Sequence, residues 1–277
     1  MGLASVYSIQ FTPLQAHLIL MLAERTISLR TLSRHPGTLA DTALRLADYA
    51  ATHGPTRLVI PVNGQVFVLA HEQAPLADVI RRAEDVVLDG ISVHTAVRML
   101  GDTTADRVPG VDLMMQLCRD ADTHALRVMM LGGRPGAGDN MQTLLRRECP
   151  HLTVGVHCPP MGFEKTPDGI GAVTHAIRAF GPDVIFVAFG APKQELFMDR
   201  HIRPLGVPVA MAVGGSFEML SGMVTRAPKW MQDIGMEWFF RMVTEPRRLL
   251  WRYVSTNSAF LWIFFCEMLQ GKTVTSQ

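Results

Sequence analysis

The chain has 277 residues, 48% of them hydrophobic and 18% charged, with a formal net charge of +1. That is enough apolar chain to bury a sizeable core, which excludes a disordered protein, and the near-neutral balance removes any general argument for nucleic acid as a partner. Cys118, Cys149, Cys158 and Cys266 form no CxxC pair and no metal-type spacing with the ten histidines, so they read as reduced thiols and no metal site is expected.

Residues 1–35 are an N-terminal extension with no assigned role; the apolar stretch Leu18 to Ala23 is too short for a signal peptide and no basic segment precedes it. A helix is predicted from Thr38 to His53, where Leu39, Ala43, Leu46, Ala47 and Ala50 recur at helical spacing. Arg57 to Ile60 is a strand running into Pro61-Val62-Asn63-Gly64, and a helix follows through Val66 to Ala70. Ala83 to Leu88 leads into a short strand ending at Asp89-Gly90, and Val93 to Leu100 is a helix stopped by Gly101. Strands at 127–131, 152–156, 183–189 and 207–213 then alternate with helices at 140–148, 169–180 and 194–201. These strands are apolar without period-2 alternation, which implies a parallel sheet covered on both faces. The expected fold is therefore α/β, a Rossmann-like parallel sheet with helices on both sides, over residues 36–224. All four tryptophans lie beyond Thr225, among Arg226, Lys229, Arg241, Arg247, Arg248 and Arg252, so 225–277 reads as a helical appendage. No run reaches the ~20 apolar residues of a membrane-spanning helix, and Ala259 to Cys266 is interfacial at most.

In open α/β sheets ligands sit at the carboxyl ends of the strands, which singles out five loops. Asn63 carries an amide that both donates and accepts, suited to a sugar hydroxyl or phosphate and equally to a turn that bonds its own backbone. Asp89 beside Gly90 is a carboxylate at a strand end, either a general base or a helix cap. Gly132-Gly133-Arg134-Pro135-Gly136 either turns diphosphate-binding N–H groups toward a ligand or makes a plain tight turn. Gly190-Ala191-Pro192-Lys193-Gln194-Glu195 follows a very apolar strand and opens a helix, dense in polar groups for a turn. Gly214-Gly215-Ser216-Phe217 lacks the last glycine of a nucleophile elbow, because Glu218 stands there, and its role is close backbone approach to a ligand or packing.

The segments Asp89-Gly90-Ile91-Ser92-Val93, Arg107 to Met114, Phe189 to Glu195, Val213 to Phe217, Arg226 to Gln232, Gly235 to Arg241 and Glu245 to Tyr253 together resemble the WecG/TagA/CpsF glycosyltransferase family over about residues 38–255, with 1–25 and the tail after Ser258 outside the match. The resemblance implies a fold of the glycosyltransferase-E type and inverting transfer from a UDP-sugar to a polyprenyl-diphosphate-linked sugar. It further implies no metal or other cofactor and a peripheral location on the inner face of the plasma membrane. By the same resemblance Asp89 is the base, with Asn63 and Gln194 beside it in the catalytic set. Arg107, Gly132, Gly133, Gly190, Pro192, Lys193, Gly214 and Gly215 make up the donor site, and Arg241, Arg248 and Arg252 reach the acceptor diphosphate. The family usually carries Thr-x-Asn where this chain has Pro61-Val62-Asn63; the lost hydroxyl leans the donor toward UDP-glucose in exopolysaccharide synthesis, with a ManNAc-type donor as the alternative. Readings of a different class are a nicotinamide-dependent oxidoreductase, which lacks its fingerprint and acidic partner, and a non-catalytic nucleotide-binding module, which leaves the Arg/Trp-rich appendage unexplained. Oligomeric state stays open.

Overall fold

The computed structural model describes residues 27–32, 37–244 and 246–273, with the side chains of 247–254 and 270–273 outside that description. Helix α1 (Leu39–Ala51) begins where Thr38 and Asp41 cap each other reciprocally, and it buries Ala43, Leu46, Ala47 and Ala50 on one stripe. Then follow β1 (Arg57–Val62), α2 (Gly64–Glu72), α3 (Ala74–Arg82), β2 (Asp85–Leu88), α4 (Ile91–Met99) and α5 (Gly110–Asp122). The second half comprises β3 (Arg127–Gly132), α6 (Ala137–Glu148), β4 (Thr153–His157), α7 (Pro167–Phe180), β5 (Val184–Ala188), α8 (Lys193–Phe197), β6 (Val209–Ala212) and α9 (Ser216–Leu220). Three C-terminal helices close the described chain: α10 (Lys229–Asp233), α11 (Glu237–Thr244) and α12 (Pro246–Thr273).

The six strands form one parallel sheet in the order β2-β1-β6-β5-β3-β4. The expected Rossmann-like α/β architecture is therefore present. The central strands are apolar throughout because both of their faces are covered. Along β5, Ile185 and Val187 join a core with Phe67, Leu76 and Ile80, while Val184, Phe186 and Ala188 join the opposite core with Leu46, Leu113 and Phe217. Three helices stand where the sequence reading placed none, the short α9 and the longer α3 and α5. Neither of the longer two has a side-chain cap at its N-terminus, and Gln73 and Pro109 occupy the cap positions, so the usual starting signal is missing. The four cysteines are unpaired, as expected.

Helix α12 is 28 residues long. The described part of α12 begins at Pro246, and residue 245, between it and α11, lies outside the described residues. Phe260 of α12 is only 4% exposed and meets Phe67 of α2 edge-on at 5.7 Å. Near the other end, Glu267 accepts from the Ser28 hydroxyl at 2.8 Å and from the Leu29 amide at 3.0 Å. Arg30 also donates to the Glu267 carbonyl at 3.2 Å and to that of Leu100 at 3.0 Å. The C-terminal helix thus contributes to the core and holds residues 28–30. Phe260→Ala should lower unfolding free energy by about 3 kcal/mol, the usual cost of emptying a core phenylalanine site. Urea unfolding followed by circular dichroism reads this, and a loss within experimental error would mean that α12 rests on the body without sharing its core.

Candidate active site

A cleft of about 850 Å³ opens at the carboxyl ends of β1, β2, β5 and β6. Asn63 follows β1 and caps α2: its Oδ1 accepts from the Gln65 and Val66 amides, both at 3.1 Å. Its Nδ2 donates to Asp89 Oδ2 at 3.2 Å. The other oxygen of Asp89 accepts from the Gly110 amide at 2.7 Å. Gly110 is delivered there by the Val108 amide, which donates to Leu88 O at 2.9 Å and prolongs the edge of β2. A side chain at Gly110 would place its Cβ 3.2 Å from the Pro61 ring, so Pro61 and Asp89 close on this glycine from two directions. The backbone-bonding reading of Asn63 is met in the form of a helix cap, and the same amide is in addition a partner of Asp89.

Gln194 is buried between the loops that follow β5 and β6. Its Oε1 accepts from the Gly190 amide at 3.1 Å and the Gly214 amide at 3.0 Å, and its Nε2 donates to Glu195 Oε1 at 2.9 Å. The side chain therefore fixes the spacing of the two loops and lines the cleft between them. Glu195, fully buried, leaves Oε2 without a hydrogen-bond partner. Burial pushes its carboxyl up from the ordinary 4.5 to about 6, against the opposing pull of the Gln194 hydrogen bond.

The other residues singled out from the sequence divide. Gly190, Gly214, Gly215, Arg107 and Arg241 all line the cleft. Arg107 also donates to Gln232 O at 3.0 Å and so ties the cleft wall to the end of α10. Gly132 and Gly133 do not face the cleft: added Cβ atoms would lie 2.7 Å from the Phe189 ring and 2.9 Å from the Phe217 ring. The Gly133 amide donates to Ala188 O and the Arg134 amide to Glu218 Oε1, so neither N–H is available to a diphosphate. These glycines serve packing between β3, β5 and α9. Pro192 and Lys193 are likewise outside the lining. Lys193 pairs with Glu164 at 2.9 Å and lies over the rings of Phe163 and Phe189, so its charge is turned away from the cleft. The Ser216 hydroxyl donates to Val213 O at 2.6 Å, consistent with the absence of a nucleophile elbow. The backbone of Arg248 and Arg252 belongs to α12, while their side chains fall outside the described residues.

Two cleft residues were missed. Glu218 is buried, keeps Oε2 unpartnered, and approaches the Cβ position of Gly215 to 3.8 Å. Arg134 lines the cleft from the glycine loop whose amides are otherwise engaged. The readable signal for Glu218 was its place in the first turn of a helix directly after a strand-end glycine pair. An Arg241 guanidinium nitrogen comes within 3.9 Å of the same Gly215 position, and Arg241 Nε is buried without a hydrogen-bond partner. A carboxylate and a guanidinium thus flank one strip of bare backbone. Arg226 makes a two-pronged pair with Asp112, at 2.6 and 3.0 Å, and meets Glu237 at 3.4 Å, fastening the start of the C-terminal helices to α5.

A carboxylate, an amide bridge and guanidinium groups are thus gathered at the carboxyl edge of a parallel sheet, the side on which open α/β sheets bind their ligands. The chain belongs to the Glycosyl transferase WecG/TagA/CpsF family, whose model matches residues 29–274. It is therefore a sugar-transferring enzyme, and the nicotinamide-dependent and non-catalytic readings fall. The match also reaches past Ser258 through α12, correcting the expectation that the tail lay outside the family. Among the described residues no helix is long and apolar enough to cross a membrane, and no group of three or more His, Cys, Asp or Glu side chains is gathered to hold a metal ion.

Glu195 supplies a pH test. Between its ordinary and its raised value the folded protein holds a proton that the unfolded chain has released, so this contribution is full below pH 4.5 and lost as the pH rises through about 6. Relative to Glu195→Gln, the parent should lose about 2 kcal/mol across that interval, at 1.36 kcal/mol per pKa unit. Denaturation midpoints from pH 4 to 8 measure the difference, and parallel profiles would show that the buried carboxyl does not titrate there.

Proposed function

We propose that the cleft takes a UDP-sugar and passes its sugar, with inversion at the anomeric carbon, to a hydroxyl of a polyprenyl-diphosphate-linked sugar. The observation that carries this reading is the clamping of Asp89 by Asn63 and Gly110 in a cleft that also holds Arg134, Arg241 and the unpartnered Glu218 oxygen. In the reaction Asp89 accepts the proton of the acceptor hydroxyl as that oxygen attacks the anomeric carbon. The bond from that carbon to the diphosphate oxygen breaks on the opposite face, and UDP departs with the electron pair. The negative charge that develops there is met by the guanidinium groups of Arg241 and Arg134, so the proposal needs no metal. The backbone around Gly214 and Gly215 offers close approach for the nucleotide, and Glu218 Oε2 can accept from a hydroxyl of the donor.

Position 61 lacks the threonine hydroxyl, and on that ground the donor is proposed to be UDP-glucose, with a ManNAc-type donor as the second choice within the same chemistry. The product would enter an exopolysaccharide or other cell-surface glycan. Membrane attachment is proposed to be peripheral, on the inner face of the plasma membrane. Exposed Trp238, Phe239, Trp262 and Phe265 support this, because aromatic side chains of this kind settle at a lipid interface.

Asp89→Asn keeps the shape of the side chain and removes its basicity. Turnover should fall about 10²–10⁴-fold with UDP affinity unchanged. Turnover with a lipid-diphosphate sugar acceptor and a UDP titration are compared on parent and variant; near-full turnover in the folded variant would remove Asp89 from the role of base.

A further inference from the structure

The walls of the cleft are chemically unlike. Around Gly215 they present Glu218, Arg241 and the amide-bridged loops. Where α4 and α12 meet they present Ile91, Met99, Phe260, Leu261 and Phe264. The polar side chains on this second wall, Ser92, Thr95, Thr256 and Asn257, are all uncharged. The two helices converge beside the catalytic pair: a Cβ on Gly64, the residue after Asn63, would lie 3.2 Å from the Ser92 hydroxyl and 3.9 Å from the Phe260 ring. Met99 and Leu261 line the cleft yet are 65% and 62% exposed, so apolar surface is held open there without a partner in the described structure. From Leu261 the stripe continues along α12 through Phe265 and Leu269, at four-residue steps that keep one helix face, and both are exposed.

We propose that this apolar wall between α4 and α12 is the channel for the hydrocarbon tail of the acceptor, receiving its first isoprene units while the sugar reaches Asp89. The inference rests on the reading of the acceptor as a lipid-linked sugar diphosphate, and it adds where the lipid lies and which residues select it. A saturated or isoprenoid chain has no hydrogen-bonding groups, and it fits a wall whose described side chains are largely apolar and carry no charge. A charged peptide or nucleotide would meet only hydroxyls and one amide there, and no opposite charge among the described side chains. The Leu261–Phe265–Leu269 stripe gives the rest of the tail a continuous path outward along the helix. Each methylene taken from water onto such a surface is worth about a fourfold gain in affinity, so even a short tail separates the channel from a site that reads only the head group.

The test uses the full chain saturated with UDP, titrated with inorganic diphosphate, geranyl diphosphate and farnesyl diphosphate below their aggregation limits, with binding followed calorimetrically. Farnesyl diphosphate should bind at least about tenfold more tightly than inorganic diphosphate, with the geranyl compound between them. The double variant Met99→Asp/Leu261→Asp, placed at two exposed positions, should lose that gradient, while its UDP affinity reports that the fold is kept. Equal affinity for the three ligands would overturn the channel, and so would a gradient that survives in the double variant. Flotation with phosphatidylglycerol vesicles is the second arm. A variant that loses vesicle binding but keeps the tail-length gradient would assign these side chains to the membrane surface and overturn the proposal. Should UDP fail to bind the parent, the donor reading fails, and the same diphosphate series without UDP still decides the channel.

Discussion

The Asn63 amide uses both of its ends. Its oxygen takes the first amides of α2 and its nitrogen takes Asp89, so the helix start that seals β1 and the orientation of the cleft carboxylate are set by one planar group. Gly110 completes the hold from the opposite side, and its lack of a side chain lets Pro61 close in. A carboxylate at position 63 could accept the two helix amides but would have no proton to offer Asp89. The cap and the chemistry are therefore one requirement.

Gln194 repeats the device across the sheet. An oxygen accepting from two loops and a nitrogen turned inward to Glu195 keep the ends of β5 and β6 at a fixed separation, with no flexible charged side chain on the cleft floor. One cleft cation is instead brought in from the side. Arg241 comes from α11, whose position depends on Arg226 gripping Asp112 and on Arg107 reaching the carbonyl of Gln232. The electrostatics of the cleft are consequently coupled to the docking of the C-terminal helices, while the carboxylate is held by the sheet itself.

The sheet was legible because its central strands are covered on both faces, and a short apolar run such as Val184 to Ala188 between helical stretches fits a buried parallel strand better than any exposed element. The ends of β1, β2, β5 and β6 were legible for the same reason, which brought Asn63, Asp89, Gln194 and the Gly214-Gly215 pair into one site. Two kinds of feature were not. Helices α3 and α5 begin without side-chain caps, which left only the weaker first-turn signals of Pro75 and Asp112. Side-chain direction was the other: Lys193 follows a strand end as a phosphate ligand would, but Glu164 and two phenylalanine rings turn it away. Gly132 and Gly133 look like a phosphate loop and are instead required by the bulk of Phe189 and Phe217, which come from distant segments. Glu218 was hidden by the same limit, since its Oε1 is held by the Arg134 amide 84 positions away in the chain.

The strand order carries a consequence for how the protein is made. β6 is the last strand synthesised, yet it lies between β1 and β5 and is paired with both. Until residues 209–212 have left the ribosome, the β1–β2 pair and the β5–β3–β4 group have no strand to join them, and each presents an unpaired edge. Neither the β1 edge nor the β5 edge can be closed before β6 is available to pair with both. Completion is a non-local step of the slow kind, and the interval before it is when this enzyme depends most on being shielded from its neighbours.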